Sequence, residues 1–275
     1  MKKLFILFVN LSIFLTCFSQ QQIENGDFES WDDVGTAQEE PTDWSSLKTS
    51  DNGTLAASAP QVLSQDVGRG GGFCPKLEVK SVFGISANGI MTSGRVHADF
   101  NPENGFVFTD PNDARWHTTF TDRPDSLVGW YKYAPANGDK GNIDIVLHVN
   151  QGSLPFNGTE GNMIARAKFE FTTAQPDWTR FSKSFEYEST GTPEFLLAMF
   201  RAGDSTVSQE GSTLWIDDLS LIYNADDSTT NVQNNEMYEF AINGSNGYLY
   251  FDVENESVDY QVMDVTGKEI QSGKA

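Results

Sequence analysis

The chain has 275 residues, and its 18 lysines and arginines stand against 39 aspartates and glutamates, a formal net charge of -21 at pH 7. Such an excess of negative charge repels phosphate backbones and anionic lipid head groups, so nucleic acid is not an expected partner. The same balance suits solubility and cation binding, and it argues against densely anionic polysaccharides as ligands.

Residues 1–19 have the form of a secretory signal peptide. Two lysines follow the first methionine, and an almost continuous apolar run then extends to residue 18. Cleavage is expected between Ser19 and Gln20, because Cys17 and Ser19 place small residues at the third and first positions before the bond. We therefore expect an exported protein whose mature chain begins at Gln20.

The mature chain shows neither a membrane span nor a cysteine pair. No segment after the leader approaches the ~20 consecutive apolar residues that cross a bilayer, so we expect no transmembrane segment. With the leader removed, Cys74 is the single remaining cysteine, and no intramolecular disulfide can form. Stability must then come from a packed core, with or without the help of a metal ion.

Short β-prone runs, punctuated by glycine, asparagine, aspartate and proline, fill the sequence from the leader to about residue 223. In one of them Ile143, Ile145 and Leu147 alternate with a more mixed set, so one face of the strand is aliphatic. Strands of this kind bury that face against a second sheet. The pattern predicts an all-β fold, a jelly-roll (galactose-binding-like) β-sandwich over residues 20–223. The predicted strands cover residues 76–82, 126–133, 142–149, 163–172, 179–187, 194–201 and 212–223.

The sequence after residue 223 divides into a linker and a second β-rich segment. Residues 224–235 are polar and have too little apolar surface to build a core. Residues 236–275 then contain further β-prone runs. We predict strands there over residues 237–242, 247–253, 257–265 and 269–270.

The long loop over residues 109–123 is the first candidate for ligand binding, since loops carry function more often than strands do. A saccharide site needs an aromatic ring for the C–H face of the sugar and polar groups for its hydroxyls. Trp116 can supply the ring, while Arg115 and Arg123 can bond the hydroxyls. The alternative is that Trp116 only plugs the end of the sandwich.

Trp130 and Tyr131 are further candidates for saccharide binding. They are consecutive on one predicted strand, so their side chains point to opposite faces of the sheet. One of the two faces must belong to the core, and the sequence leaves open which one. The alternative is that both aromatic residues are core.

The tail over residues 238–275 resembles the first half of the type A C-terminal sorting domain of proteins that the type IX secretion system of Bacteroidetes exports. Two stretches carry the resemblance: NGYLYF at residues 246–251 and YQVMDVTGKEI at residues 260–270. Within the second stretch, Thr266, Gly267 and Lys268 have the form of a hairpin turn between hydrophobic strands. The resemblance implies the type IX secretion machinery as a partner. It also implies release from, or attachment to, the outer surface of a Gram-negative bacterium.

The central part, over residues 89–223, resembles the putative carbohydrate metabolism domain of surface proteins from the same bacteria. Three stretches carry this resemblance: RPDSLVGWYKYAP at residues 123–135, GNIDIVL at residues 141–147 and GSTLWIDDLSLIY at residues 211–223. The resemblance implies a jelly-roll domain associated with glycan use. The partner that it implies is a poly- or oligosaccharide.

Two acidic segments frame the predicted sandwich, NGDFE at residues 25–29 and WIDDL at residues 215–219, and the pair resembles the framing of many carbohydrate-binding modules. Calcium takes six to eight oxygen ligands from segments that need not be adjacent in sequence. Glu29 and Asp218 are therefore candidate ligands of a structural Ca²⁺ that ties the chain ends together. The alternative is that both carboxylates are simply solvated.

The sequence favours a non-catalytic carbohydrate-binding protein that is secreted or held at the cell surface. With 39 acidic residues, any chosen carboxylate pair is uninformative, and we name no catalytic residue. The three histidines show no metal-ligand spacing, so a zinc enzyme is not expected. Two alternatives stay open: a glycan-active enzyme such as a glycoside hydrolase or lyase, and a structural or adhesive surface protein.

Overall fold

The computed structural model describes residues 20–82, 84–204 and 207–224 in full, together with the backbone of four short strands nearer the C-terminus. The chain divides into two compact units, Met1–Asn224 and Ala225–Ala275. The predicted signal peptide, nearly all of the predicted linker, the predicted strand over residues 237–242 and the predicted turn at residues 266–268 lie outside the described residues.

The described residues of the first unit lie mostly in strands, turns and loops. The one α-helix among them, α1, spans Gly53–Ser58, and short 3-10 turns span Leu47–Thr49, Pro102–Asn104, Ala114–Trp116 and Glu160–Asn162. The eighteen strands described there are β1 (Trp31–Asp32), β2 (Glu40–Pro41), β3 (Leu63–Val67), β4 (Phe73–Glu78), β5 (Lys80–Val82), β6 (Ile85–Ala87), β7 (Ile90–Thr92), β8 (Arg95–His97), β9 (Phe106–Phe108), β10 (Thr118–Thr119), β11 (Ser126–Ala134), β12 (Gly141–His148), β13 (Ser153–Leu154), β14 (Met163–Phe171), β15 (Gln175–Ser184), β16 (Glu186–Tyr187), β17 (Phe195–Arg201) and β18 (Thr213–Ile222).

Two antiparallel sheets form the sandwich. A five-stranded sheet has the order β15-β11-β18-β4-β3, and a six-stranded sheet has the order β10-β17-β12-β14-β16, with β7 also paired to β17. The predicted all-β sandwich is thereby confirmed, and all seven predicted strands are present. Two of them differ in detail. The segment predicted at 76–82 begins earlier, at Phe73, and is interrupted between β4 and β5. The segment predicted at 179–187 begins earlier, at Gln175, and is interrupted between β15 and β16.

The main core lies between the two sheets. Ile143, Ile145 and Leu147 on β12 are fully buried, as their alternation predicts, and they belong to the same cluster as Tyr131 and Tyr133 on β11. Aromatic rings dominate one end of this core, where the ring centroids of Tyr131 and Phe171 lie 4.5 Å apart. The face of β11 that carries the tyrosines is therefore the inner face.

The outer face of the six-stranded sheet is also covered. A three-stranded sheet of order β13-β9-β8 lies in the same region, and its Val96, Val107 and Leu154 form a second apolar cluster with residues of β12 and β17. Every residue of β12 is buried in consequence. The sequence predicted only one buried face for this strand. The strands that cover the other face, such as β8 and β9, have three residues each, and so short a segment has too little alternation to be recognised from sequence.

The second unit contains two strand pairs. β19 (Asn243–Ser245) pairs with β20 (Tyr248–Tyr250), and β21 (Asp259–Met263) pairs with β22 (Glu269–Lys274), both antiparallel. The last strand extends four residues beyond the predicted end at residue 270. Among the described residues of the whole chain, no helix has the length and apolar character that a membrane span requires.

Candidate functional site

A cavity of about 360 Å³ opens on the outer side of the six-stranded sheet. We call it the Arg201 pocket. Arg201, the last residue of β17, lines it together with Ile90 and Val96 of the second apolar cluster. Its other walls come from the end of α1, from the β5–β6 hairpin and from the connection between β8 and β9. Four segments that are distant in sequence thus surround one space.

Aromatic and aliphatic side chains form most of the exposed lining of the Arg201 pocket. Phe106 lines it and stacks on His97, with the ring centroids 4.5 Å apart. The His97 ring is held in turn by Asp51, whose Oδ2 lies 2.7 Å from Nδ1. Phe100 lies at the mouth and is 65% exposed. An exposed ring beside a cavity offers a surface against which a sugar ring can stack.

One wall of the Arg201 pocket is fixed by a single amide side chain. Nδ2 of Asn88 donates to the carbonyl oxygens of Gly203 and Asp204, each at 2.9 Å, and its Oδ1 accepts from the amide of Gly203 at 2.9 Å. These bonds join the end of the β5–β6 hairpin to the loop that follows β17. The wall is therefore preorganised rather than assembled around a ligand.

Arg201 itself is the unusual polar group of this pocket. It is 9% exposed, and its one hydrogen bond within the described part of the chain runs from Nε to Oδ1 of Asn142, at 3.4 Å. Burial lowers the pKa of the guanidinium, and the charges of Asp144 and Asp204 act in the opposite direction. A buried cationic side chain with so few hydrogen-bond partners is uncommon among apolar neighbours.

A second cavity, of about 300 Å³, lies near the loop that the sequence singles out. We call it the Glu40 pocket. Arg115 and Trp116 both line it, together with His117, Trp44 and several carboxylates. The structure therefore brings two of the five predicted ligand-binding residues to one cavity. The remaining acidic residues of its lining are Glu24, Asp32, Asp33 and Asp43.

Glu40 is a buried carboxylate with a perturbed pKa. Burial raises the pKa, although Oε1 accepts hydrogen bonds from the amide and the hydroxyl of Ser46, at 2.7 and 2.6 Å, and from the hydroxyl of Thr49, at 2.9 Å. These bonds hold the 3-10 turn at Leu47–Thr49. In the same cavity Nε1 of Trp44 is buried and has no hydrogen-bond partner in the described part of the chain.

Trp116 does not present a free ring face. Its side chain is 6% exposed, and the guanidinium carbons of Arg95 and Arg115 lie 4.8 and 4.5 Å from the ring centroid. Two cations thus occupy the positions from which a sugar ring would stack. Trp116 is therefore buried beneath two guanidinium groups, and its role in saccharide binding stays a prediction.

The other three predicted ligand-binding residues lie in neither cavity. Arg123 donates to the carbonyl oxygens of Gly191 and Ser189 and covers the ring of Tyr187 at 4.1 Å, so it braces a turn. Tyr131 is buried in the core between the sheets and is not presented to a ligand from outside. Trp130 points outward from the five-stranded sheet, where the guanidinium of Arg69 covers its ring at 4.5 Å.

The predicted metal ligands lie in one acidic region but already have protein partners. Arg69 binds Oδ2 of Asp218 through Nε at 2.7 Å and Nη2 at 2.6 Å, and Oε1 of Glu29 accepts from the amide of Phe73 at 3.2 Å. Between them is Asp217, whose pKa burial raises to about 6. Among the described residues, no group of three or more histidine, cysteine, aspartate or glutamate side chains is arranged to hold a metal ion. The calcium site stays a prediction.

Sequence reasoning did not identify the residues of the Arg201 pocket. The available signal was Arg201 itself, a cation at the end of the otherwise apolar strand FLLAMF. Phe100, in a turn-forming sequence with aspartate before it and Asn101 after it, was a second signal. Neither is specific without the neighbours that only the fold supplies.

Two solved structures show the same fold. A protein of Bacteroides thetaiotaomicron described as a "putative glycoside hydrolase" is 17% identical, with a TM-score of 0.55 over 73% of this chain and 71% of that chain. A protein of Bacteroides vulgatus with the same description is 22% identical, with a TM-score of 0.50 over 74% of this chain and 98% of the other. At these identities the similarity establishes the fold alone. No curated protein sequence matched.

The family match reaches further toward the N-terminus than the stretches that carried the resemblance. It starts at residue 18, so it takes in the segments before residue 89 that form the walls of both cavities. A family model described as "Putative carbohydrate metabolism domain" matches residues 18–222, and the chain therefore belongs to this carbohydrate-related family.

Proposed function

We propose that this protein binds a poly- or oligosaccharide in the Arg201 pocket, without catalysis, outside the cell. The family supports a role in carbohydrate use, and the β-sandwich supplies a rigid frame on which loops form a binding cavity. The chain has a net charge of -21, which repels a phosphate backbone, so nucleic acid is not an expected partner.

The observation that carries the proposal is the composition of the Arg201 pocket. A cavity of about 360 Å³ lies within the usual range for small-ligand sites, roughly 300–1,000 Å³. Its apolar walls and the rings of Phe100 and Phe106 suit the C–H faces of a sugar. The buried guanidinium of Arg201 supplies hydrogen-bond donors in the same lining. Apolar surface with few convergent polar groups is the usual composition of such sites.

The test is a glycan array probed with the full chain, followed by isothermal titration calorimetry on the glycans that bind. We expect binding to at least one glycan class, and a loss of about tenfold or more in affinity for Phe106→Ala. Trp178→Ala, on the outer side of the other sheet, serves as the control and should retain affinity. If the chain binds no glycan on the array but binds other surface proteins, the structural or adhesive alternative is favoured.

The Glu40 pocket gives a specific reason to keep a second candidate function, glycoside hydrolysis. A glycosidase needs one carboxyl group that stays protonated and a second that is ionised, and burial raises the pKa of Glu40 while solvated aspartates line the same cavity. Against this, Oε1 of Glu40 is engaged in holding the turn at Leu47–Thr49. A structural role thus explains much of its burial.

Reducing-end release from a panel of polysaccharides separates the two candidate functions. The binding proposal predicts no turnover by the full chain at any pH between 4 and 8. Reproducible turnover that Glu40→Gln abolishes, with an unchanged melting temperature for the variant, would establish the hydrolase instead. Asp43→Asn is the matched variant for the partner carboxylate.

We also propose that the type IX secretion system exports the protein to the outer surface of a Gram-negative bacterium. The predicted signal peptide and the resemblance of residues 238–275 to a sorting domain support it. In a type IX-competent host, the full chain should appear outside the outer membrane. A chain that ends at residue 224 should stay in the periplasm. Equal localisation of the two chains would contradict this route.

A further inference from the structure

The charge of Arg201 is not neutralised by contact within the described part of the protein. Its side chain is 9% exposed, it lines the pocket, and its only hydrogen bond there goes to the neutral amide of Asn142 at 3.4 Å. It makes no ion pair within 4 Å with any described residue. Leaving a buried cation in this state is costly, whereas an anion brought by a ligand removes the cost.

The carboxylate of Asp144, on the neighbouring strand, acts on the charge of Arg201 through space but makes no hydrogen bond or ion pair with it. Asp144 lies on β12, on the same side of the sheet as Asn142, and both of its oxygens are taken by Arg166, at 2.7 and 2.6 Å. This buried carboxylate is thereby committed to another guanidinium. Arg201 lines the pocket, and neither Nη1 nor Nη2 has a hydrogen bond to a described residue. A planar guanidinium can bind a carboxylate through two parallel hydrogen bonds.

We propose that the Arg201 pocket selects saccharides that carry an isolated carboxylate, such as one uronic acid residue among neutral sugars, with Arg201 bonding that carboxylate. This inference rests on the proposed saccharide-binding function and specifies its ligand. The apolar walls and Phe106 contact the C–H face of the same sugar ring. The carboxylate reaches the guanidinium at depth, where solvent screens the interaction least.

The rim of the pocket explains why the charge must be isolated. Asp99 and Glu103 line the same cavity and are exposed, Asp204 lines it and is half-buried, and the whole chain has a net charge of -21. A polyanion such as polygalacturonate would place further carboxylates beside these side chains. A glycan with one acidic residue avoids that repulsion and still neutralises Arg201.

The test uses matched saccharide pairs and isothermal titration calorimetry with the full chain. Neutral oligosaccharides of glucose, galactose, xylose and mannose are each compared with a counterpart that carries one uronic acid and with the carboxyl-reduced form of that counterpart. We expect at least one uronate form to bind about tenfold or more tightly than its reduced form, a difference of about 1.4 kcal/mol. Oligogalacturonate should bind more weakly than that uronate form.

Two variants connect the preference to Arg201. Arg201→Met, which keeps an unbranched stem as far as the position of Nε and removes the charge, should reduce the ratio of uronate to reduced-form affinity to below about twofold. Arg201→Lys should retain part of the ratio, because the charge remains and the fork is lost. Arg180→Met, at an exposed position on β15 of the other sheet, is the control and should keep the wild-type ratio. Thermal unfolding of each variant checks that it is folded.

The outcomes separate this inference from the function on which it rests. Equal binding of uronate and reduced forms, or a preference that survives Arg201→Met in a folded protein, overturns the carboxylate assignment and leaves saccharide binding standing. Tighter binding of oligogalacturonate overturns the requirement for an isolated charge. Absence of binding by every neutral and acidic saccharide overturns the proposed function and this inference together.

Discussion

Arg166 and Asp144 form a two-pronged ion pair on the outer face of the six-stranded sheet, with Nε 2.7 Å from Oδ1 and Nη2 2.6 Å from Oδ2. The Asp144 side chain is 3% exposed and that of Arg166 is 32% exposed. The hydrogen bonds to Asp144 raise the pKa of Arg166 above its ordinary value. The pair therefore joins β12 to β14 through a buried carboxylate and a partly buried guanidinium.

Asp144→Asn should destabilise the fold, because it leaves a partly buried guanidinium without its counter-charge. Removal of one partner of a buried pair typically costs about 3 kcal/mol or more in the free energy of unfolding. The control is Glu170→Gln on β14, which breaks the exposed Lys168–Glu170 pair at 3.1 Å and should cost less than about 1 kcal/mol. Urea denaturation at pH 7 measures both. Equal losses in the two variants would contradict a buried ion pair.

Phe100→Ala should weaken saccharide binding without weakening the fold. The ring is 65% exposed, so its removal should change the free energy of unfolding by less than about 0.5 kcal/mol. Loss of a stacking surface at the pocket mouth should lower affinity by about fivefold to tenfold. Calorimetry on the best array ligand measures the effect. Phe73→Ala, which removes an exposed ring from β4, is the control, and parallel loss of affinity there would argue against a role specific to the pocket mouth.

The fold was predictable because its long strands carry the pattern of a sandwich in their own residues. In β12 the three aliphatic residues of one face recur at every second position, and β14 repeats the arrangement with Ala165 and Ala167 buried at the core. The cover on the outer face was not predictable from periodicity. β8, β9 and β13 have two or three residues each, and such short strands acquire their conformation from the sheet they join.

The candidate site was less predictable than the fold, for a geometric reason. Arg115 and Trp116 were chosen because a long loop holds them, and they do line a cavity, but two guanidinium groups lie over the Trp116 ring. Arg201 and Phe100 are about a hundred positions apart in sequence and share one cavity. Their proximity follows from the pairing of β7 with β17, which no local pattern shows.

A calcium ion at Glu29 and Asp218 would have to replace Arg69, whose exposed pair with Asp218 contributes at most about 1 kcal/mol. If calcium binds, the melting temperature in millimolar Ca²⁺ should exceed that in chelator by several degrees. Arg69→Gln should increase this difference because it removes the competing cation. Asp218→Asn should abolish it. Coincident melting curves with Ca²⁺ and with chelator, in wild type and in Arg69→Gln, would eliminate the predicted site.

His148 should make the fold sensitive to acid. It is buried at the end of β12, where Nε2 lies 2.9 Å from the hydroxyl oxygen of Thr109 and the ring stacks on Phe195. Burial lowers its pKa to about 4 from the ordinary value of 6.5. Between these two values the unfolded chain binds the proton and the folded chain does not, so the contribution of His148 to stability rises with pH and is lost as the solution is acidified.

The shift corresponds to about 3 kcal/mol between pH 6.5 and pH 4. His148→Gln keeps a polar group near Thr109 and does not titrate in this range. The free energy of unfolding of the wild type minus that of the variant should therefore fall by about 3 kcal/mol as the pH is lowered from 7 to 4. Taking the difference cancels the titration of groups that both proteins share. Urea denaturation at half-unit pH steps gives the free energy of unfolding of each protein as a function of pH. If the two profiles stay parallel between pH 7 and pH 4, His148 is protonated in the folded protein as readily as in the unfolded chain.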